Sequence, residues 1–402
     1  MKCENRIQPL RELADIQTGP FGSQLYKEDY VEIGTPIVTV EHLGNRTFTE
    51  QNLPKVSDND KERLKKYILS IGDIVFSRVG SVDRCSYVDE RHNGWMFSGR
   101  CLRVRPTQDI DSLYLYYYFC LESTKQFVRN IAVGATMPSI NTKLLGEVPI
   151  NVPDIHAQKK ISGILSSIDD KIELNNKINE NLEQQAQAIF KSWFVDFEPF
   201  EGVAPKEWRN ATLEEITELV SRGIAPKYSD DSAQTVINQK CIRNHMIDLT
   251  LARKHTPKTI NEKWLQYGDL LINSTGTGTL GRTAQVWFEP KNLTVDSHVT
   301  IVRPAKENLI FYIGLWGISH EKEIESLHTG STGQTELPRE RVKAIELLLP
   351  DNETLDRFNA IIAPMAAAIV SNQKENQSLA ELRDALLPKL MSGEFDVEDV
   401  DS

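Results

Sequence analysis

The chain contains two copies of one heptad pattern, separated by about half its length. Apolar residues recur every seven positions, and each copy has an asparagine in the middle. The first copy is Ile161, Ile168, Asn175, Leu182 and Ile189, and adding 197 to each number gives Phe358, Met365, Asn372, Leu379 and Leu386. Seven-residue apolar spacing is typical of a helix that packs along another helix. We therefore expect two long helices packed side by side, with these ten residues in the seam between them.

The asparagine in each copy constrains how the helices pair. A half-buried amide costs stability unless it finds a hydrogen-bond partner. The Asn175 and Asn372 amides would satisfy each other across the seam, and this would fix the register. An intermediate row on each helix is partly apolar as well, at Ile164, Ile178, Ile361 and Leu382.

The segments that precede the helices also repeat, although more loosely. Residues 72–76 parallel 268–272, and residues 103–106 parallel 301–304. The offsets vary by one or two residues, which indicates one fold with different loop lengths. Short apolar runs bounded by turn residues predict strands, and apolar residues spaced by three or four predict helices. The strands are expected at 35–40, 73–76, 101–104 and 299–302, and the helices at 113–129 and 309–326.

The expected fold class is α+β: two similar globular target-recognition domains separated by two long antiparallel helices, which form a coiled-coil spacer, with an internal pseudo-two-fold repeat. Each long helix opens after a proline, with Asp154 or Asp351 as its cap. Pro364 should bend the second helix. The predicted boundaries are a first domain at 1–152, its helix at 153–197, a second domain at 198–349, its helix at 350–393 and an acidic tail at 394–402.

The net charge of −11 is unfavourable for nucleic-acid binding, but its distribution is uneven. Residues 1–152 contain 19 basic and 19 acidic residues, and residues 203–349 contain 18 of each. The acidic excess therefore lies in the helices and the tail, and one face of each neutral domain can still be basic. No apolar stretch is long enough to span a membrane, and no signal peptide or Cys-x-x-Cys pair is visible. We expect a cytoplasmic protein with reduced cysteines.

A glycine-rich segment at residues 276–281 matches G-x-G-x-x-G. A dinucleotide-binding loop would lead into a helix, but residues 282–288 alternate like a strand, so a polar hairpin loop is favoured. Arg282 flanks this loop, and Arg78 and Arg84 flank its counterpart in the first half. Their guanidinium groups suit phosphates or guanine, although each alone could be an ordinary surface arginine.

Side-chain amides are candidates for reading adenine, because they match its N6 and N7 atoms. His298 follows Asp296 and Ser297 on an expected strand, where a structural histidine is more typical than a ligand or a base. Sequence signatures of catalysis or metal binding are absent, and we expect no catalytic residue, metal or cofactor in this chain. The candidate amide residues are Gln24, Asn238, Gln239 and Gln334.

Aromatic residues cluster at the end of the first long helix, at Trp193, Phe194, Phe197 and Phe200. They either dock the helix onto a domain or contact another subunit. Two unequal domains held apart by a stiff helix pair would suit reading two different DNA segments at a set separation.

Several phrases resemble one known family across nearly the whole chain. They are IFKSWFVDFEPF (189–200), LRDALLPKLMSGEF (382–395), TGPFGSQL (18–25), VPDIHAQKKIS (152–162) and GSTGQTEL (330–337). Together with the order of the repeat, they resemble the specificity subunits of type I restriction–modification enzymes. The first domain departs from the pattern, with GATMPSI at 134–140 in place of the fuller GSTGQTEL.

The resemblance implies a non-catalytic subunit of a restriction endonuclease and adenine-N6 methyltransferase complex. Each domain would read one half of a bipartite double-stranded DNA site. One copy would bind two methyltransferase subunits, which carry S-adenosylmethionine, and restriction subunits that use ATP and Mg²⁺ would join; the helix-end residues Trp193, Phe194 and Phe197 are candidate subunit contacts. The candidate DNA contacts are Thr18, Gly19, Phe21, Ser23, Gln24, Ser77, Arg78, Ser81, Arg84, Thr136, Ser139, Arg222, Asn238, Gln239, Ser274, Thr275, Thr277, Arg282, Ser331, Thr332, Gln334 and Thr335.

Two alternatives stay open from the residues alone. Acidic helices and neutral domains also fit a helical adaptor whose globular domains bind proteins. A stand-alone enzyme is a third interpretation, and the missing catalytic signatures disfavour it.

Overall fold

A computed structural model of the chain describes residues 6–20, 22, 24–256, 259–330 and 335–395. It divides into two compact units. The first unit is Met1–Ile172 with Gln377–Ser402, and the second is Glu173–Asn376. Each unit combines a globular part of mixed helices and strands with portions of two long helices, which confirms the α+β class.

The first unit is built around a four-stranded antiparallel sheet. Its strands are β1 (Arg6–Pro9), β2 (Ala14–Thr18), β3 (Tyr30–Val31), β4 (Thr35–Val38), β5 (Lys55–Val56), β6 (Ile74–Ser77), β7 (Cys85–Tyr87), β8 (Met96–Phe97), β9 (Cys101–Pro106) and β10 (Pro149–Val152). The central sheet has the order β2-β9-β6-β7, a second sheet has the order β3-β5-β4-β8, and β1 pairs with β10. The helices are α1 (Leu10–Leu13), α2 (Asp58–Arg63), α3 (Ser112–Cys120), α4 (Glu122–Ile131), α5 (Thr142–Gly146) and the first part of α6 (Ile155–Phe194).

The second unit repeats this arrangement. Its strands are β11 (Arg209–Thr212), β12 (Thr217–Arg222), β13 (Thr235–Ile237), β14 (Ile242–Arg243), β15 (Met246–Ile247), β16 (Arg253–Lys254), β17 (Leu270–Asn273), β18 (Thr283–Gln285), β19 (Leu293–Val295), β20 (Val299–Pro304) and β21 (Glu346–Leu349). The sheet order β12-β20-β17-β18 matches β2-β9-β6-β7, and the pair β11-β21 matches β1-β10. The helices are α7 (Ile310–Ser319), α8 (Glu321–Ser326), α9 (Arg339–Lys343) and the first part of α10 (Asn352–Ser392).

Each central sheet is buried on both faces, which explains why its strands are almost continuously apolar. In β6, Ile74 and Phe76 face a core formed with α3, whereas Val75 faces the core around the second sheet. In β17, Leu270 and Leu271 divide in the same way between two cores. Successive side chains of a strand point to opposite faces, so one strand serves both layers.

The two helices expected within the domains are each divided. Residues 113–129 form α3 and α4, because Leu121 between them has an extended backbone (φ −58°, ψ 133°). Residues 309–326 form α7 and α8, with His320 (φ −113°, ψ 17°) at the break. In the first unit, α3 is buried on most sides whereas α4 buries only Thr124 and Val128. The chain therefore has to turn between the two segments.

Both long helices begin where the sequence indicates. The Asp154 carboxylate accepts hydrogen bonds from the backbone N–H groups of His156 and Ala157, both at 3.0 Å. Asp351 accepts from the N–H of Thr354 at 2.9 Å. These bonds satisfy backbone donors that the first turn of a helix leaves free. Helix α10 continues through Pro364, and the bend expected there stays a prediction.

The heptad stripe lies on the buried side of both helices. Ile161, Ile168, Asn175 and Phe358 are buried, and the other six residues, Leu182, Ile189, Met365, Asn372, Leu379 and Leu386, are partly buried. The expected intermediate row was wrong, because Ile178, Ile361 and Leu382 are 39%, 37% and 49% exposed. The buried partner row lies four residues after the stripe instead of three, at Leu165, Asn179, Ala186, Ile362, Ile369 and Leu390.

The expected bond between Asn175 and Asn372 was wrong as well. In the second unit, Nδ2 of Asn175 donates to Oε2 of Glu375 at 2.8 Å and to Oδ1 of Asn376 at 2.9 Å. Nδ2 of Asn372 donates to Oδ1 of Asn179 at 2.8 Å. Asn175 is bonded to Asn376, and Asn179, which lies further along α6, is bonded to Asn372, which lies earlier in α10. The two helix segments are therefore antiparallel. Each stripe asparagine therefore bonds to the partner row, one helical turn away from the other stripe.

Candidate DNA interface

The predicted polar loops of the first unit meet at one edge of its central sheet. Strands β2 and β6 end at this edge, and β7 and β9 begin there, because Thr18 pairs with Leu102 and Ser77 with Cys101. We call this the first loop edge, comprising residues 18–19, 77–84, 98–101 and 133–139.

Backbone hydrogen bonds fix the loops of the first edge to one another. The N–H of Arg78 donates to the carbonyl of Arg100 at 2.8 Å, and the N–H of Ile140 donates to the carbonyl of Arg78 at 2.9 Å. The N–H of Gly80 donates to the carbonyl of Pro138 at 2.8 Å. The loop around residue 78 is thus held between the start of β9 and the GATMPSI segment.

The second unit has an equivalent edge with three equivalent backbone bonds. The N–H of Ser274 donates to the carbonyl of His298 at 2.8 Å, and the N–H of Leu337 donates to the carbonyl of Ser274 at 2.8 Å. The N–H of Asn273 donates to the carbonyl of Arg282 at 2.9 Å, as that of Ser77 does to Arg84. We call this the second loop edge, comprising residues 222–223, 273–282, 296–299, 329–330 and 335–337. Arg84 and Arg282 are therefore structural equivalents.

A glycine ends the first strand of each edge. Gly19 donates its N–H to the carbonyl of Cys101 at 3.2 Å, and Gly223 donates to that of Val299 at 3.1 Å. A Cβ atom on Gly19 would lie 2.1 Å from the carbonyl oxygen of Ser98, and one on Gly223 would lie 1.9 Å from that of Val295. Only glycine permits this approach.

The first loop edge is rich in arginine. Arg84 and Arg100 are exposed and Arg78 is partly buried, with its Nη1 donating to the carbonyl of Gly99 at 3.1 Å. Asp83, an acidic residue of the edge, lies 3.5 Å from Arg129, which is outside the edge. The edge can therefore attract an anion such as a DNA phosphate.

The second loop edge carries a chain of polar side chains. Oγ1 of Thr275 donates to Oε1 of Gln239 at 3.2 Å and lies 2.8 Å from Nδ1 of His298. Arg222 is engaged internally, because it bonds to the Glu336 carboxylate and donates to the carbonyl of Leu337. The edge thus presents a hydroxyl, an amide and an imidazole side by side.

Several predicted DNA contacts are supports of the loops instead. Ser77 and Ser274 are buried. The Ser77 hydroxyl donates to the carbonyl of Val79, and Oγ of Ser274 lies 3.3 Å from the carbonyl oxygen of Ile272 and 2.6 Å from Oγ1 of Thr300. The Asn238 amide caps a 3-10 turn and donates to the carbonyl of Leu251. Oε1 of Gln24 accepts from the hydroxyl of Tyr67 at 2.7 Å. These groups are used within the protein, which limits what they can offer to a base.

The remaining predicted contacts divide by exposure. Ser81, Arg84, Thr136 and Thr277 are exposed, and those partly buried are Thr18, Arg78, Ser139, Gln239, Thr275, Arg282 and Thr335. Phe21, Ser23, Ser331, Thr332 and Gln334 lie outside the described residues. Gln24, Asn238 and Gln239 lie outside the two edges, although Gln239 bonds to Thr275 of the second edge. The other described candidates lie at the edges.

Sequence reasoning missed Arg100 as an edge residue and favoured a structural role for His298. Both are exposed and each directly precedes a central strand, β9 or β20. Residues 103–106 align with 301–304 in the internal repeat. Extending this alignment back by three residues pairs Arg100 with His298.

The aromatic cluster at the end of α6 packs within the second unit. The ring centroid of Phe194 lies 4.8 Å from that of Phe358 and 4.9 Å from that of Tyr312. Phe197 lies 5.9 Å from Trp208. This packing favours the docking interpretation, and a role of Trp193, Phe194 and Phe197 in subunit contact stays a prediction.

Other kinds of site receive no support. No group of three or more histidine, cysteine, aspartate or glutamate side chains is placed to hold a metal ion within the described ranges. In the same part of the chain, no helix combines the length and apolar character needed to cross a membrane. Residues 276–281 form a turn between the antiparallel strands β17 and β18, which confirms the hairpin loop over a nucleotide site.

Comparison with known proteins identifies relatives across nearly the whole chain. A family model described as the type I restriction modification DNA specificity domain matches residues 5–184. The MjaIX specificity subunit of Methanocaldococcus jannaschii is 30% identical over 421 residues, covering 98% of this chain and 94% of the relative. The HindI specificity subunit of Haemophilus influenzae is 25% identical, covering 87% and 92%.

A solved structure shows the same fold. The S subunit of a type I restriction–modification system from M. genitalium matches with a TM-score of 0.61 and 16% identity, covering 97% of this chain and 96% of that one. Together with these matches, the duplicated α+β fold places the chain among the subunits of restriction–modification systems. The chain belongs to the specificity subunits of type I restriction–modification systems. This finding supports the specificity-subunit interpretation over the protein-binding adaptor.

Proposed function

We propose that the two loop edges each read one half of a bipartite double-stranded DNA site. The observation that carries the proposal is the repetition of one edge in both units, with three equivalent backbone bonds but different side chains. Equivalent backbones suit binding to the same kind of target, and different side chains suit different sequences. Base edges in a DNA groove are distinguished by such donors and acceptors.

The edges supply the groups that this task requires. Arg78, Arg84 and Arg282 can donate to phosphates or to guanine. Thr275 and Gln239 can exchange hydrogen bonds with a base edge. Phosphate contacts would set the position on the duplex, and the amide and hydroxyl groups would discriminate among bases.

The chain would act by positioning the chemistry of other subunits. One copy would bind two methyltransferase subunits, which carry S-adenosylmethionine, and restriction subunits with ATP and Mg²⁺ would join the complex. The internal repeat supports binding of two methyltransferase subunits, because the duplicated helices present similar surfaces twice. The chain would bind no cofactor and catalyse no step itself.

A domain exchange tests the proposal. Residues 1–152 are replaced by the same segment of a related specificity subunit, and methylated sites are mapped in a host that carries the partner subunits. We expect one half of the methylated sequence to change while the other half is retained. A change in both halves, or in neither, contradicts the proposal.

Binding measurements test the DNA contact itself. With methyltransferase subunits present, gel shifts at several salt concentrations should show sequence-selective binding that weakens as salt rises. Binding that neither selects a sequence nor responds to salt would return the adaptor interpretation.

A further inference from the structure

Arg100 and His298 occupy the same position in the two units. Each accepts, through its backbone carbonyl, a hydrogen bond of 2.8 Å from the loop after the neighbouring strand, donated by Arg78 or Ser274. Each is followed by the first residue of a central strand, Cys101 or Val299. Cys101 pairs with Ser77 as Val299 pairs with Asn273. The equivalence therefore rests on backbone bonds and strand register.

The Arg100 side chain is available to an external partner. It is exposed, and its guanidinium has no hydrogen bond or ion pair with any residue that the structure describes. Arg78 next to it uses Nη1 on the carbonyl of Gly99, and Arg222 of the second edge is paired with Glu336. Arg100 is thus less committed to the protein than these two arginines.

The His298 ring is oriented by its neighbours. Oγ1 of Thr275 uses its proton to bond Oε1 of Gln239, so this hydroxyl accepts from His298 at 2.8 Å. The network therefore assigns a proton to Nδ1 of His298. Within the described part of the chain Nε2 has no hydrogen-bond partner, and it can bond outward. A neutral ring offers an acceptor at Nε2, whereas a charged ring offers a donor.

The acidic groups next to His298 and Thr275 are engaged within the protein. Oδ1 of Asp296 accepts from the backbone N–H of His298 at 2.9 Å. Burial raises the pKa of Asp296, and the bond from His298 opposes that rise. Glu336, which pairs with Thr275 in an isolated β-bridge, has its charge balanced by Arg222. Nζ of Lys263 donates to the carbonyl of Gly223 at 3.3 Å, so one lysine is held against the second loop edge.

We propose that Arg100 and His298 are equivalent DNA contacts of the two recognition domains, and that His298 makes its contact only when its imidazole is protonated. Both would donate to an acceptor on DNA, either a phosphate oxygen or O6 and N7 of guanine. Arginine is always charged, whereas histidine changes charge between about pH 5 and pH 8. The inference rests on the proposed function, and it makes one half of recognition depend on pH.

Exchange of the two side chains tests this directly. The full-length chain is assembled with its methyltransferase subunit, and the probe is a duplex carrying the site methylated in the host. Binding is measured at about pH 6 and about pH 8 at one salt concentration. The wild-type assembly should bind roughly tenfold more weakly at the higher pH, the loss expected for one charge-assisted contact.

The variants move the pH response in opposite directions. His298→Arg should bind well at both pH values, and His298→Gln should bind weakly at both. Arg100→His should add a second loss of roughly tenfold at the higher pH. Arg11→His is the matched control, since Arg11 pairs with Glu147 outside the edge, and its pH response should equal that of the wild type. Thermal melting checks that each variant is folded. If His298→Arg fails to fold, the pH response of Arg100→His provides the test.

Two further readouts separate the sources of the acceptor. If His298 contacts a phosphate, His298→Gln should weaken binding to all sequences and lower the salt slope by about one. If it contacts guanine, the variant should accept other bases at one position of one half-site.

The outcomes separate the inference from the proposed function. Salt-sensitive, selective binding whose pH response is unchanged in His298→Arg and Arg100→His overturns the inference and leaves the proposed function intact. An assembly that selects no site at either pH contradicts the proposed function itself.

Discussion

The same ion pair occurs in both units with equally buried carboxylates but differently exposed arginines, so the two units can be compared with each other. Arg303 donates from Nε and Nη2 to the two oxygens of Asp269, both at 2.8 Å, and these side chains are 5% and 0% exposed. Arg105 bonds Asp73 in the same way at 2.7 Å, but the arginine is 39% exposed. Burial raises the pKa of Asp269 even though Arg303 lowers it. Desolvation therefore dominates at this carboxyl.

Replacing each arginine by methionine should have unequal effects. Arg303→Met leaves Asp269 charged and buried without its partner, which should lower the free energy of unfolding of the second unit by about 3–5 kcal/mol. Arg105→Met should cost the first unit less, about 1–2 kcal/mol, because Asp73 is only 1% exposed but the 39% exposed Arg105 is already screened by water. Replacing both partners, with Asp269→Leu and Arg303→Met together, should restore part of the loss.

Hydrogen exchange measured by mass spectrometry reads the two units separately. Protection of the amides in Val299–Pro304 reports the second unit, and protection in Cys101–Pro106 reports the first. Each variant should reduce protection in its own unit. Equal losses for the two arginine variants would refute the burial argument, and so would a double variant less stable than Arg303→Met alone.

Three further changes have defined outcomes. Asn175→Leu should raise the melting temperature through a gain of about 1 kcal/mol, because it removes a buried Oδ1 that has no partner among the described residues, whereas water can replace the two lost bonds at the exposed Glu375 and the partly buried Asn376; an unchanged or lower melting temperature would contradict this. The Glu321 carboxylate lies 3.6 Å from Nε2 of His245 and raises the pKa of His245, so the stabilisation from this ion pair is complete below about pH 6.5 and is lost as the pH rises through the folded value. His245→Gln should therefore flatten the urea midpoint between about pH 6 and pH 8.5, and an unaltered slope would exclude the pair as its source. Gly223→Ala should cost about 2–4 kcal/mol in urea unfolding, because its Cβ would lie 1.9 Å from a carbonyl oxygen, whereas the control Gly163→Ala, with open space on helix α6, should stabilise by about 1 kcal/mol.

Much of the fold could be predicted because the chain repeats. Two copies of one pattern identify long helices and equivalent strands more reliably than either copy alone. The choice of partner row failed, since Ile164 and Ile178 are apolar but the row four residues after the stripe is the buried one. Apolar character alone could not decide this, because Asn179 of the buried row is polar and is held there by Asn372.

The candidate interface was only partly predictable. Residue type and loop position identified Arg84 and Arg282, whose equivalence depends on backbone bonds that the sequence does not display. The same reasoning could not show that Ser77 and Ser274 are buried, since a serine after an apolar strand can face either side. A structural role was favoured for His298 because it was expected to lie on a strand. It lies instead one residue before strand β20 and is exposed.

The end of α10 completes the core of the first unit. Leu387, Leu390 and Met391 pack in one cluster with residues such as Leu10 and Tyr114. During synthesis, the amino-terminal domain must therefore leave the ribosome with an open gap, which is filled only after all of the second unit has been made. A nascent chain that stops early would retain this exposed apolar surface, and it would be a ready substrate for chaperones or proteases.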